Sequence, residues 1–239
     1  MPHLRNGIDG VPQRVKDWPS AITSTAPSPM SHRLALFDFD GTLADSQDWF
    51  LGIFDQVADR FGYRRLKPGD RERLRGLETK AILHDLGVPT WKLPMIAKHV
   101  RELASRDIDQ IRLFPGAAEM LAELKAGGVQ AAVVSSNDEG NVRRVLGAAA
   151  GLIAHFACGA SLFGKAGKIR GVLKAMRVEK HGAILVGDET RDAAAARDAG
   201  IDCGLVAWGY ADPGFLRSLA PTLFFERMDE IAPALTGGG

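Results

Sequence analysis

The chain has 239 residues, a length that fits one large domain or two of modest size. Hydrophobic residues make up 46% and charged residues 25%, as in an ordinary globular protein, which excludes a mostly disordered chain, a collagen-like repeat and a coiled coil. The net charge is +1, so no global field attracts a nucleic acid. No apolar run approaches the ~18 residues of a membrane helix. We therefore expect neither nucleic acid nor membrane as a partner.

The beginning of the chain differs in composition from the rest. Residues 1–29 carry five of the twelve prolines and show no helical or strand periodicity. We predict a disordered N-terminal extension over residues 1–32. Only two cysteines occur, and they lie far apart, which excludes a disulfide framework and a four-ligand zinc site. This use of cysteine fits a reducing cytosol, so we expect a cytoplasmic protein.

From residue 34 onwards, short apolar runs alternate with segments of helical periodicity. The predicted strands are residues 34–37, 129–134, 152–158, 183–186, 203–207 and 223–225. The predicted helices are residues 45–61, 69–86, 93–106, 115–127, 137–146, 169–176 and 192–199. We expect Asn137 to cap the helix that runs to residue 146. Such alternation is typical of βαβ units and predicts an α/β fold, a Rossmann-like parallel sheet with helices on both faces.

One long stretch interrupts this alternation. No strand-like run occurs between residues 45 and 113, which predicts a small all-helical insertion after the first strand. We predict a Rossmann-like core made of residues 33–44 and 114–239, and a helical cap made of residues 45–113. Arg75, Glu78 and Lys80 are candidates for cap residues near a ligand.

Acidic and polar residues follow several predicted strands at their carboxyl ends, the edge at which α/β sheets bind ligands. Asp38 and Asp40 follow the first strand, and Ser135 follows the second. Asp188 and Asp192 begin the loop and helix after the strand at 183–186. Carboxylate oxygens without His or Cys suit a hard cation such as Mg²⁺. Because Mg²⁺ usually shares its coordination with substrate phosphate oxygens, the cluster predicts a phosphorylated substrate.

The same cluster suggests a chemistry. An aspartate can attack phosphorus and form an aspartyl-phosphate, while a metal ion neutralises the phosphoryl oxygens. A lysine and a hydroxyl would complete the electrostatic clamp. Ser135 offers the hydroxyl, and both Lys165 and Lys168 precede the strand that ends at Asp188. The expected partner is a small phosphorylated metabolite.

Four short segments resemble, in the same order along the chain, the signature motifs of haloacid dehalogenase-like (HAD) hydrolases. They are Asp38-Phe39-Asp40-Gly41-Thr42-Leu43, Val134-Ser135-Ser136-Asn137, Phe163-Gly164-Lys165 and Gly187-Asp188-Glu189-Thr190-Arg191-Asp192. Pro115-Gly116, Trp208-Gly209 and the helical insertion are similar to the phosphoglycolate-phosphatase-type branch. The resemblance implies a Mg²⁺-dependent phosphatase that hydrolyses a small, phosphoglycolate-like phosphate monoester through an aspartyl-phosphate.

The resemblance also implies a role for each motif residue. Asp38 would be the nucleophile, and Asp40 would protonate the leaving alcohol and then deprotonate the hydrolytic water. Lys165 would stabilise Asp38 and the phosphate, with Lys168 as the alternative lysine. The residues that would bind the metal are Asp38, Asp40 through its carbonyl, Asp188 and Asp192. The residues that would bind the phosphate are Gly41, Thr42, Ser135, Ser136 and Lys165.

Other functions share these core motifs. A sugar phosphomutase would differ only in its cap chemistry and in solvent access to the site. A catalytically silent binding module on the same fold is a further alternative, which the intact aspartates disfavour. A carbon–halogen dehalogenase is disfavoured because the family's dehalogenases lack an acid at the position of Asp40.

Overall fold

A computed structural model of the chain describes residues 32–159 and 164–237. The strands are β1 (Leu34–Phe37), β2 (Ala44–Asp45), β3 (Arg112–Leu113), β4 (Gln130–Val134), β5 (Ile153–Ala157), β6 (Ala183–Gly187), β7 (Asp202–Val206) and β8 (Leu223–Phe225). The helices are α1 (Gln47–Phe61), α2 (Asp70–Arg75), α3 (Thr79–Asp85), α4 (Leu93–Arg106), α5 (Ala117–Ala126), α6 (Glu139–Leu146), α7 (Lys165–Met176), α8 (Thr190–Ala199), α9 (Pro213–Ser218) and α10 (Ile231–Thr236). Within these residues, no helix has the length and apolar character needed to cross a bilayer.

The main sheet places the polar strand ends side by side. Its six strands, in the order β5-β4-β1-β6-β7-β8, are all parallel. The central strand β1 is fully buried, which explains why its sequence is continuously apolar. Because β4 and β6 flank β1, the residues that follow these three strands meet at one edge. Those residues are Ser135, Asp38 and Asp188.

Apolar clusters cover both faces of this sheet. Alternate side chains of β1 point to opposite faces, as the pleat requires. Ala35 and Phe37 pack on the side of α5, α6 and α10, whereas Leu34 and Leu36 pack on the side of α7 and α8. The predicted α/β fold with a Rossmann-like parallel sheet is confirmed.

Helices α1–α4 form a separate packed group between β2 and β3. Ile53 and Val57 of α1 contact Leu103 of α4 in one of its apolar clusters. The two short strands pair antiparallel, so they bring the two ends of residues 45–113 together. The assignment of this segment as a cap domain, and of 33–44 and 114–239 as the core, stays a prediction.

The prediction of one helical segment over residues 69–86 is wrong. Two helices, α2 and α3, occupy the segment, and they are separated at residues 76–78. The carbonyl of Arg75 accepts a hydrogen bond from the backbone N–H of Asp212 at 2.8 Å. Helix α2 ends at Arg75 with Gly76 as its C-cap, and the contact with Asp212 satisfies a carbonyl that has no partner within the helix.

Smaller corrections concern the ends of elements. Asp138, rather than Asn137, caps α6, because its side chain accepts a hydrogen bond from the N–H of Gly140 at 2.8 Å. Helix α7 begins at Lys165, four residues before the predicted start, and α9 and α10 were not predicted.

Two predictions fall wholly or partly outside the described residues. The expected disordered extension, residues 1–32, lies outside them except for His32. That residue is buried, and its Nε2 lies 3.0 Å from Asp202 Oδ2, so disorder is wrong at this one position. Phe163 of the third motif also lies outside the described residues.

Candidate active site

Asp38 lies buried at the carboxyl end of β1. Its N–H donates to the carbonyl of Val186 at 2.9 Å, which continues the pairing of β1 with β6. Its Oδ1 accepts a hydrogen bond from the N–H of Phe39 at 2.8 Å, and its Oδ2 lies 2.7 Å from Lys165 Nζ. Burial raises the pKa of Asp38, but the charges of Lys165 and Arg191 outweigh burial and hold this pKa below its ordinary value. Asp38 is therefore an ionised carboxylate, the form that can attack phosphorus.

Two further aspartates share this position in the fold. Carboxylate oxygens of Asp38, Asp188 and Asp192 lie within 4.8 Å of one another, and all three residues are buried. Burial, and then the neighbouring carboxylates, raise the pKa of Asp188 well above its ordinary value. A divalent cation would remove this repulsion, and carboxylate oxygens are the ligands that Mg²⁺ prefers. The cluster therefore fits a divalent metal ion.

Of the two candidate lysines, Lys165 contacts the carboxylates. Its Nζ lies 2.5 Å from Asp192 Oδ1, in addition to the ion pair with Asp38. Burial lowers the pKa of Lys165, but the charges of Asp192 and Asp38 raise it by a larger amount. The net shift of this pKa is therefore upward, and the ammonium stays charged. Lys168 Nζ instead donates to the main-chain carbonyls of Ser135 at 2.6 Å and Gly159 at 2.7 Å. Lys168 thus holds two loops together beside the cluster.

Asp40 lies next to the carboxylate cluster but is held by other groups. Ser46 Oγ donates to Asp40 Oδ1 at 3.0 Å, and Asn137 Nδ2 lies 3.2 Å from Asp40 Oδ2. Burial and the charge of Asp38 raise the pKa of Asp40 above its ordinary value, although the two hydrogen bonds oppose them. A raised pKa favours the protonated acid, which can donate a proton to a leaving alcohol.

The predicted phosphate-binding residues differ in what their polar groups already contact. Thr42 Oγ1 donates to Asp188 Oδ1 at 2.8 Å, and the N–H of Gly41 donates to the carbonyl of Ala44 at 2.9 Å. These two donors are engaged within the protein, which disfavours a phosphate contact through them. Ser135 is buried, and its Oγ accepts a hydrogen bond from the N–H of Asn137 at 3.0 Å. Phosphate binding by Ser135 and its neighbour Ser136 stays a prediction.

Glycines allow the backbone to approach the aspartates closely. A Cβ on Gly209 would lie 2.1 Å from the Cβ of Asp188, and one on Gly41 would lie 2.3 Å from Asp188 Oδ2. A Cβ on Gly187 would lie 2.4 Å from the Cγ of Asp192. Real Cβ atoms do not come this close to other heavy atoms, so a larger residue would displace the carboxylates. These glycines therefore help to position the cluster.

Sequence reasoning missed Arg191, which lies between two predicted ligands in the fourth motif. Its Nη2 lies 3.7 Å from Asp38 Oδ2 and 2.7 Å from Glu189 Oε1. Its Nε is buried and has no hydrogen-bond partner among the described residues. A charged donor with free capacity beside the nucleophile is suited to a phosphoryl oxygen. Its place between Asp188 and Asp192 is a signal that could have identified it.

Two other contributors carry no sequence signal. Tyr210 donates its N–H to Asp188 Oδ2 at 2.8 Å, and its hydroxyl lies 2.6 Å from Ser46 Oγ, which contacts Asp40.

A cavity lies between the site and helices α1–α4. Of the three predicted cap residues near a ligand, Arg75 lines this cavity, whereas Glu78 and Lys80 are exposed and do not line it.

Comparison with known proteins identifies the family. Residues 35–206 match the family model described as haloacid dehalogenase-like hydrolase. The chain belongs to this family. A phosphoglycolate phosphatase from Synechococcus elongatus is 29% identical to this HAD-like hydrolase over 204 residues, which cover 84% of this chain and 96% of that protein. The tyrosine-protein kinase PtkA from Mycobacterium tuberculosis is 30% identical over 214 residues, which cover 86% of this chain and 73% of that protein.

A solved structure shows the same fold. A haloacid dehalogenase-like hydrolase from Streptococcus pneumoniae aligns with a TM-score of 0.68 and 20% identity, over 84% of this chain and 97% of that one. The predicted resemblance to the HAD superfamily is confirmed, and so is the predicted class of enzyme, a hydrolase of the phosphatase kind. The roles of the individual residues in this HAD-like hydrolase stay predictions.

We expect Gly209→Ala to weaken divalent metal binding by about 10- to 100-fold, the usual effect of disturbing a group that orients a ligand. The added Cβ would push Asp188 away from the other two carboxylates. Mg²⁺ titration by calorimetry measures the effect. Gly171→Ala is the matched control, because among the described residues nothing beyond the backbone of α7 itself lies within 4 Å of a Cβ at that position. Unchanged Mg²⁺ affinity in Gly209→Ala would count against Asp188 as a ligand.

Proposed function

We propose that this phosphatase requires Mg²⁺ and hydrolyses a small phosphate monoester through an aspartyl-phosphate on Asp38. One observation carries the proposal: ionised Asp38 lies 2.7 Å from Lys165 and within the carboxylate cluster that it forms with Asp188 and Asp192. The proposal assigns Asp38 as the nucleophile, Lys165 as its balancing cation, the three carboxylates as the metal site, and Asp40 beside them as the acid.

The proposed hydrolysis has two steps, the formation of an aspartyl-phosphate and its breakdown by water. A carboxylate oxygen of Asp38 attacks phosphorus, the bond from phosphorus to the alcohol oxygen breaks, and Asp40 delivers its proton to that oxygen. Water then attacks the phosphorus of the aspartyl-phosphate, Asp40 accepts the water's proton, and the bond from phosphorus to Asp38 breaks. Lys165 and Arg191 balance the negative charge throughout.

Asp38, Asp188 and Asp192 would hold the Mg²⁺ through their carboxylates. When bound, Mg²⁺ supplies positive charge beside the phosphoryl oxygens. The substrate belongs to the small phosphorylated metabolites, and the names of relatives such as the Synechococcus elongatus phosphoglycolate phosphatase support a phosphoglycolate-like compound.

The purified protein would be tested on p-nitrophenyl phosphate and phosphoglycolate with Mg²⁺, with EDTA, and with Mg²⁺ restored after EDTA. We expect turnover that disappears with EDTA and returns with the metal. Turnover that is insensitive to EDTA would contradict the metal requirement. Mg²⁺ binding without turnover of any monoester would instead favour the silent binding module or a phosphomutase.

The two lysines allow a direct comparison. We expect Lys165→Met to lower kcat by about 100-fold, because the charge that balances Asp38 and the phosphoryl group is lost. We expect Lys168→Met to leave kcat within about threefold and to lower Tm by about 3 °C, the shift that ~1 kcal/mol gives in a chain of this size. Steady-state kinetics and thermal melting of both variants measure this, and the opposite pattern would assign the catalytic role to Lys168.

The similarity to a protein named a tyrosine-protein kinase favours a second candidate, phosphoryl transfer to an acceptor other than water. Asp38 would then take the phosphoryl group from a donor and pass it to a hydroxyl. Incubation with radiolabelled ATP and a tyrosine-containing polymer tests this candidate. Labelled polymer that depends on Asp38 would support it, and release of phosphate alone would leave hydrolysis as the function.

A further inference from the structure

A cavity of about 400 Å³ lies above the carboxylate cluster. At one end it is lined by Asp40, Asn137 and Arg191, and elsewhere by side chains of α1–α4 and neighbouring loops. Its size falls within the range of about 300–1,000 Å³ that is typical of small-molecule sites. Because it opens onto the proposed catalytic groups, a bound monoester would place its leaving group in this space.

The part of the wall that α1–α4 contribute is apolar. It includes Phe50, Phe54, Leu74, Ile82, Leu83 and Ile96. Phe50, Ile82, Leu83 and Ile96 are only half-buried, so they keep apolar surface facing the cavity. A ligand with a hydrocarbon body would remove this apolar surface from water, which is favourable. A carboxylate placed there would lose its hydration without gaining hydrogen bonds in return.

The arginines of the cavity do not alter this apolar character. The guanidinium of Arg75 donates to the main-chain carbonyls of Tyr210 at 3.0 Å and Gly209 at 3.2 Å. Arg191 lies at the catalytic end beside the nucleophile. Arg101 of α4 also lies near the core end: its carbonyl accepts a hydrogen bond from Asn141 of α6 at 3.1 Å, and after burial its charge is among the causes that lower the pKa of Lys168. Arg71 of α2 also lines the cavity, but its Nη2 lies 3.1 Å from Gln47 Oε1 and 3.6 Å from Asp48 Oδ1, so its charge is already paired with α1. Apart from this paired arginine, the positive charge of the cavity lies at the end where the phosphate would lie.

We propose that, beyond phosphoglycolate-like compounds, the enzyme takes alkyl or aryl phosphate monoesters whose apolar body lies among α1–α4 while their phosphate lies at Asp38. This inference rests on the proposed function, since it concerns the leaving group of the same reaction. Glycolate, the leaving group of phosphoglycolate, is too small and too polar to occupy the apolar wall.

A homologous series tests the proposal, because ethyl, butyl and octyl phosphate differ in chain length and hardly in chemical reactivity. We expect kcat/KM to rise by up to about fourfold for each methylene that enters the apolar wall. Octyl phosphate has six more methylenes than ethyl phosphate, so an average gain of about twofold for each makes it about 60-fold better than ethyl phosphate. It should also be better than phosphoglycolate. Equal or falling kcat/KM along the series would overturn the proposal.

A variant that fills the cavity links this preference to the wall. Ala97 of α4 lines the cavity, so Ala97→Leu should lower kcat/KM for octyl phosphate by about 10-fold or more and leave ethyl phosphate unchanged. Ala81→Leu is the matched control, because Ala81 is exposed on α3 and does not line the cavity. An equal loss for both esters in Ala97→Leu, or the same loss in Ala81→Leu, would count against the proposal.

Binding separates this inference from the proposed function. Octylphosphonate and ethylphosphonate contain no phosphorus–oxygen–carbon bond to hydrolyse, so calorimetry with the intact protein measures binding without turnover. The difference between their affinities reports the contribution of the alkyl chain in the cavity. Tighter binding of octylphosphonate supports the apolar site, even if every ester resists hydrolysis and the proposed function fails. Equal binding of the two phosphonates, together with turnover of phosphoglycolate, overturns the apolar site and leaves the phosphatase in place.

Discussion

We expect Asp38→Asn to lower kcat by about 10⁴-fold or more, which is the usual loss when the nucleophile is removed from a set of catalytic residues that act together. The amide cannot form the acyl phosphate, and it also removes one oxygen ligand of the proposed metal site. The effect on folding should be small, because the Oδ1 that accepts the N–H of Phe39 at 2.8 Å is kept in the amide. Steady-state kinetics on p-nitrophenyl phosphate measures the loss.

Asp198→Asn is the matched control for this variant, since Asp198 is exposed on α8 and the same change there should leave kcat unaltered. Acid quenching of the wild-type reaction with a radiolabelled monoester should trap label on the protein, and Asp38→Asn should trap none. A variant that retains turnover, or a wild-type protein that never carries label, would contradict the covalent route.

Asp40→Asn is expected to lower kcat/KM for an alkyl phosphate by about 10²- to 10⁴-fold, the usual contribution of general acid catalysis. The alkoxide is a poor leaving group unless it receives a proton, and Asp40 is the acid whose raised pKa favours the protonated form. The p-nitrophenolate ion leaves without a proton, so kcat/KM for p-nitrophenyl phosphate should fall by much less.

The two substrates therefore serve as controls for each other in one variant. Because Asp40 also accepts the proton of water in the second step, the aspartyl-phosphate should accumulate in Asp40→Asn. Stopped-flow mixing with p-nitrophenyl phosphate would then show a burst of p-nitrophenolate followed by slow turnover. Equal losses of kcat/KM for both esters would mean that Asp40 positions Asp38 rather than donating a proton.

Much of the fold and of the site could be predicted because local chemistry marked it. A buried parallel strand must be continuously apolar, so Leu34–Phe37 and Ala183–Gly187 could be recognised as strands. Parallel strands end at one edge, so the aspartates that follow them were expected to meet, and Asp38, Asp188 and Asp192 do lie together. The sequence could not choose between Lys165 and Lys168, because both begin the same helix.

Other features depend on contacts between residues far apart in the chain, which no local pattern records. Helix α2 ends at Arg75, whose carbonyl accepts the N–H of Asp212 from a distant loop. Asp40 is held by Ser46, which in turn contacts Tyr210, a residue in a loop 164 positions later in the chain.

The amino-acid sequence by itself determined the α/β architecture, the edge of the sheet at which polar residues gather and which three aspartates lie together there. Periodicity and residue type are local properties, and they suffice for these features. Only the tertiary structure decided which lysine reaches Asp38, how closely Gly209 approaches Asp188 and where apolar side chains of α1–α4 face the site. These features depend on the packing of separate segments, and packing is set by the whole fold.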